Sequence, residues 1–174
     1  TIDANNLTIE GSTVSLNQGA DLSGTLDTTA SSKLSVLGQN LEADGGVTIS
    51  GATELGSSVV TNNSDVSITG TLTLLENTDV SISTSNGGIT VTGSTAGAAG
   101  ADNETLTLNA GTGQISLAGI FGAGSTSNSG GLTDVTVTNS STVSFGQIDI
   151  TGALNQSNAA TGNTTFNGTT NVGS

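Results

Sequence analysis

LTIEGST (residues 7–13), VTISGAT (residues 47–53) and ITVTGST (residues 89–95) repeat one pattern: apolar, Thr, apolar, polar, Gly, small, Thr. The copies stand roughly 40 residues apart, twice a unit of about 20. VSITGT (residues 66–71) falls between the second and third copies, and LTLNAGT (residues 106–112), VTVTNSS (residues 135–141) and IDITGA (residues 148–153) are related to them. Period-two alternation puts the apolar residues on one face of a strand and the hydroxyls on the other. The Gly that follows suits a corner. It leaves Val66, Ile68, Leu72 and Leu74 pointing the same way on either side of Gly70.

Similar pairs run along the chain: Val14/Leu16, Leu34/Val36, Val80/Ile82, Ile115/Leu117 and Val143/Phe145 among them. No window carries the i, i+3, i+4, i+7 stripe of a helix. The fold class is therefore all-β. A unit of about 20 residues offers roughly five large apolar side chains, too few to offset the ordering of its own backbone, so it must stack on neighbours. The pattern predicts a parallel β-helix (β-solenoid) with coils of about 20 residues, about eight or nine of them. Residues 1–174 read as a single domain. The competing reading is an antiparallel β-sandwich, whose strands run longer and need no such self-similarity. Residues 93–103 and 119–131 break the rhythm and read as loops, the second with Ile120 and Phe121 tucked over the core edge.

Composition narrows the function. The chain has 14 acidic residues against one basic residue, Lys33, and a net charge of −13. That balance repels nucleic acid and anionic membrane surfaces. Its apolar runs are too short to insert in a membrane. There is no Cys, His, Met, Trp, Tyr or Pro. Thiol chemistry, Cys or His zinc sites and Ser-His-Asp triads lack their residue types. Leu, Ile, Val and Phe supply 41 residues, above the roughly 20% of a chain below which disorder is expected.

TLTLNAGTGQISLAG (residues 105–119), LTDVTVTNSSTVSFGQIDITGALNQ (residues 132–156) and TTFNGTTNV (residues 164–172) resemble the β-strand repeats of large bacterial exoproteins. Those are the filamentous-haemagglutinin-like adhesins and autotransporter passenger domains. The resemblance implies secretion to the cell surface or extracellular space, a right-handed winding of the β-helix, and a role as adhesin, surface stalk or matrix fibre. That family's secretion domain is not recognisable in these residues.

GADNETLTL (residues 100–108) makes Asp102 and Glu104 the candidate calcium ligands. Calcium sites of secreted β-rolls use successive Gly-rich copies, and one imperfect copy stands here, so an ordinary acidic loop is the competing reading. No other cofactor is expected. Glu42/Asp44 and Asp102/Glu104 are the carboxylate pairs a glycan-cleaving β-helix would use. Such an enzyme needs cations for developing charge and aromatic platforms for sugars, which the composition withholds, so no enzyme activity and no catalytic residue is expected. Thr71/Thr73, Thr90/Thr92, Thr105/Thr107 and Thr136/Thr138 are Thr-x-Thr pairs, spaced too unevenly for one ice-binding face. Seven Asn-x-Ser/Thr sequons (Asn6, Asn62, Asn103, Asn139, Asn155, Asn163 and Asn167) are about what the composition yields by chance.

The expected function is thus a non-enzymatic extracellular structural or adhesive element. A polysaccharide-binding or depolymerising β-helix is the alternative and an ice-binding solenoid the remote one. Strand signals reach both ends without a helix or charged strand to cap them, which fits a slice of a longer solenoid or copies stacked end to end. Homotypic self-association and host or neighbouring-cell glycans are the expected partners.

Overall fold

The computed structural model describes all residues except 1, 12, 30–32, 99, 101, 102, 123–130, 158–161 and 174. Among the described residues every regular element is a strand. The chain begins with β1 (Ile2–Ala4), β2 (Leu7–Ile9) and β3 (Thr13–Leu16), followed by β4 (Ala20–Leu22), β5 (Thr25–Thr28) and β6 (Lys33–Val36). It continues through β7 (Leu41–Ala43), β8 (Gly46–Ile49) and β9 (Ala52–Leu55), then β10 (Val59–Val60), β11 (Val66–Ile68) and β12 (Leu72–Leu74). Next come β13 (Asp79–Ser83), β14 (Ile89–Val91) and β15 (Thr95–Gly97), then β16 (Glu104–Asn109) and the long β17 (Ile115–Phe121). The last are β18 (Leu132–Asn139), β19 (Val143–Ile150), β20 (Leu154–Gln156), β21 (Thr164–Phe166) and β22 (Thr170–Val172).

Pairing is parallel throughout, and from β1 to β14 each strand pairs with the third one on: β4 pairs with β7, β5 with β8, β6 with β9. Three rows result. Row A is an eight-stranded sheet, β1-β4-β7-β10-β13-β16-β18-β20. Row B holds β2, β5, β8, β11 and β14, and row C holds β3, β6, β9, β12 and β15. β17 and β19 pass through the corner between these rows and pair in both, which joins B and C into one 14-stranded sheet. One strand from each row makes a tier, and the tiers lie about 4.8 Å apart. This arrangement is compatible with a β-solenoid.

The step between tiers varies. Hydrogen bonds link residues 18 to 22 apart in the first tiers, 23 and then 26 further on, and 28 to 30 between β16–β17 and β18–β19. The spacing is 19 again between Ala153 and Asp134. The longer steps come where residues are added between β15 and β16 and between β17 and β18.

One apolar core runs from the first tier to that of β18 and β19, with Leu154 of β20 packed against it. Row A contributes Leu41, Val59, Ile82, Leu108 and Val137, row B Ile49, Ile68, Val91, Leu117 and Phe145, and row C Leu16, Leu34, Leu72 and Ile148, all buried. Val66, Ile68, Leu72 and Leu74 face the core from β11 and β12, as the sequence predicts. Three expectations shift. Residues 93–103 read as a loop, but they contain β15, a strand of row C with Thr95 and Gly97 buried. Phe121 is a buried strand residue of β17, whereas its neighbour Ile120 points outward and is exposed. IDITGA lies in row C, and LTLNAGT and VTVTNSS in row A, so these three are not register-equivalent copies of the row B motif.

The B-to-C corner explains the Gly of the motif. A Cβ on Gly70 would stand 2.1 Å from Gly51 O, one on Gly93 2.1 Å from Gly70 O, and one on Gly119 2.3 Å from Gly93 O. The corner is a column in which each backbone lies against the carbonyl of the tier beneath.

Candidate functional site

Alternation on a three-residue strand sends the middle side chain outward. On β1, β4 and β7 that residue is acidic. Asp3 pairs in register with Asp21, and Asp21 with Glu42, so three carboxylates stack on consecutive tiers of row A. Like charges directly opposite one another repel. Beside them the corner residues Gln18, Gln39 and Asn40 complete, with Ala20, a groove of about 290 Å³. Gln18 Nε2 donates to Asn17 O (2.9 Å), and Asn40 Oδ1 accepts from Ser58 N (3.3 Å). The groove therefore offers carboxylate acceptors and amides of both polarities, suited to a neutral polyhydroxylated ligand or a cation.

Glu42 belongs to this site, but its partner is not the one expected from the sequence. Asp44 lies two residues on, exposed beyond the end of β7, while Asp21 is the carboxylate stacked on Glu42. Asp21, Gln18 and Gln39 were legible only from the step between tiers, which places Ala20 on Leu41.

Of the candidate calcium ligands, Asp102 lies outside the described residues. Glu104 starts β16 and is fully buried. Its Oε2 accepts from Asn103 N at 3.3 Å, and its Oε1 finds no donor among the described residues. The carboxylate occupies the space left by Gly97, whose Cβ would lie 2.5 Å from Oε2. No group of three or more acidic residues that could hold a metal ion forms among the described residues.

Lys33, the one basic residue, has a partner. Its Nζ lies 2.7 Å from Glu54 Oε1, and Ser35 Oγ donates to Glu54 Oε2 at 2.9 Å. The Lys33 hydrogen bond holds the Glu54 carboxyl below its ordinary value, partial burial opposes this, and the Ser35 hydroxyl adds to the lowering.

Row B carries a different outer surface. Thr8, Asp27, Thr48, Ser67, Thr90, Ser116, Ser144 and Thr165 stack in register, so seven of the eight outward positions are hydroxyls. The Thr-x-Thr pairs are divided among rows: Thr73 in C, Thr90 in B, and Thr107 stacked on Thr136 in A. Several sequon asparagines bridge tiers. Asn6 Oδ1 accepts from Thr25 N (2.8 Å), and Asn167 Nδ2 donates to Ser144 Oγ (2.9 Å). Asn63, Asn86 and Thr112 form a similar ladder, at 2.6 and 2.9 Å. Comparison with protein-family models, with curated proteins and with solved structures finds no match to this chain.

Proposed function

We propose that this chain is a non-enzymatic structural element of the cell surface or extracellular space: a right-handed parallel β-helix that serves as a stiff stalk or adhesive rod. The observation that supports it is the uninterrupted stack. Every interior tier is hydrogen-bonded on both sides, and one core passes through all of them. Such a body resists bending because each tier is held by its neighbours. The hydroxyl column of row B supplies many equivalent weak hydrogen-bonding groups, the surface an adhesive rod presents to glycans. Right-handed winding follows the general preference of parallel crossovers and the resemblance to exoprotein repeats.

Intact source cells test this reading. An antibody raised against the folded chain is expected to label unpermeabilised cells. Labelling that appears only after lysis would contradict the proposed location and the stalk role with it.

The groove at Asp21 and Glu42 supports a second reading, a polysaccharide-binding or depolymerising β-helix. Glycan binding or reducing-end release that is lost in Glu42→Gln is the result it requires.

A further inference from the structure

Alternation along β16 turns Glu104, Leu106 and Leu108 inward, so a carboxylate stands where the strand otherwise carries Leu. In the next tier its register partner is Leu132, which is also buried. Space for the carboxylate comes from β15. Gly97 pairs with Leu74 of β12, so the side chain that fills the core one tier below is missing there. Glu104 takes the place: a Cβ on Gly97 would stand 2.5 Å from Glu104 Oε2 and 3.0 Å from its Cδ.

The surroundings do not balance the charge. Glu104 has no exposed surface. Its Oε2 accepts a 3.3 Å hydrogen bond from Asn103 N, and its Oε1 has no donor among the described residues. Lys33 is the one basic residue, and Glu54 holds it at 2.7 Å. Buried charges are paired or coordinate a metal. With no basic side chain to spare, the partner of Glu104 has to come from outside the chain.

The other groups at this corner offer oxygen. Gly131 O would stand 2.8 Å from the same Cβ position on Gly97, and so lies beside the carboxylate. Thr95 Oγ1, on the inward face of β15 two residues before Gly97, is fully buried and has no partner among the described residues. The exposed Glu76 sets its carboxylate against Gly100, in the connection that leads from β15 to β16. Both added segments of the winding end here. Glu104 follows the first, and Gly131 closes the one between β17 and β18.

We propose that this corner is a calcium site anchored by Glu104, with Gly131 O and Thr95 Oγ1 beside it and Glu76 at its outer edge. It is one buried carboxylate among neutral oxygens, and not a cluster of acids. Carboxylate, carbonyl and hydroxyl oxygens suit a hard cation, and the chain has no His, Cys or Met for a softer one. Calcium accepts irregular oxygen sets that include backbone carbonyls, whereas magnesium demands a near-ideal octahedron. Bound there, the ion ties both added segments to β15 and β16 and stiffens the tiers with the longest steps. The proposal needs only the register of the strands, and stands apart from the stalk and glycan readings.

Thermal melting of the full chain, followed by circular dichroism, tests it. At a net charge of −13 any divalent ion stabilises somewhat by screening, so the comparison is between variants. The parent should melt higher in calcium than in chelator, with a midpoint that climbs with the logarithm of calcium concentration. Glu104→Gln keeps the shape and removes the charge. It should melt above the parent in chelator and lose most of the calcium-dependent rise. Glu10→Gln removes the same charge from an exposed position and should keep the whole rise. Thr95→Val removes one ligand oxygen and should need several-fold more calcium for the same rise. Calorimetric titration should count one calcium fewer in Glu104→Gln than in Glu10→Gln. No calcium-dependent rise in the parent, or equal rises in the parent and Glu104→Gln, overturns the proposal. Should Glu104→Gln fail to fold, Thr95→Val decides, and an unchanged calcium requirement overturns it.

Discussion

At Gly93 a methyl group has nowhere to go: its Cβ would sit 2.1 Å from Gly70 O and 2.5 Å from the same carbonyl's carbon. Backbone cannot swing aside as a side chain does, so Gly93→Ala should destabilise by about 1–3 kcal/mol. Gly88→Ala is the matched control. Its nearest neighbour would be Asp65 Oδ1 at 3.5 Å, and the change should be neutral or stabilising by up to about 1 kcal/mol. Chemical denaturation of the two variants separates a close approach from a generic loss of Gly. Thr53 offers the opposite case. Its hydroxyl is buried and has no partner among the described residues. Val keeps the shape and removes the unpaired group, so Thr53→Val should raise stability by about 1–2 kcal/mol in the same measurement. Lys33 and Glu54 supply a pH signature. The Glu54 carboxyl is held below its ordinary value of 4.5, so the pair's contribution is whole above that value and fades as pH falls through the lower, folded one. Lys33→Ala should therefore cost about 0.2–1 kcal/mol near neutrality, as half-exposed pairs do. The difference from the parent should vanish in strong acid, where Glu54 is protonated in both states.

Between neighbouring strands, register decides what alternation cannot. Asp3, Asp21 and Glu42 look like isolated surface acids along the chain, yet pairing of β1, β4 and β7 puts them in one column. Removing the middle charge with Asp21→Asn should stabilise by roughly 0.2–1 kcal/mol at low ionic strength. Thermal melts at rising salt should show the gain shrinking as the repulsion is screened. Strand positions and inward faces were legible because Val66, Ile68, Leu72 and Leu74 alternate with hydroxyls and are bounded by Gly. The corner role of Gly was legible for the same reason. Row membership was not. IDITGA matches VSITGT residue by residue in pattern, yet β19 runs straight through the corner at Gly146 and carries Ile148 into row C. A local motif states which side chains face inward, but not which side of the stack the strand occupies. Glu104 was misjudged in surroundings for a related reason: a carboxylate flanked by polar residues reads as surface. Its burial depends on the missing side chain of Gly97, which is brought beside it by winding and not by sequence distance.

For the whole molecule, the tier step is the quantity from which the remaining features follow. Steps of 18 to 22 residues suffice where three short strands and tight corners close a tier, and steps of 26 to 30 mark the tiers that carry added segments. The core columns stay in phase through these changes: the strands keep their partners, and single extra residues in β17 and β18 are taken up as register shifts within the ladders. The candidate groove and the hydroxyl column are consequences of that phase. Backbone nuclear Overhauser contacts across β11 test it most directly. Inter-strand contacts of parallel type are expected from Val66 to both Val47 and Ile89, with Ser67 meeting Thr48 and Thr90. Close Hα–Hα contacts of antiparallel type between residues 66–68 and 72–74, with none to residues 47–49 or 89–91, would contradict it.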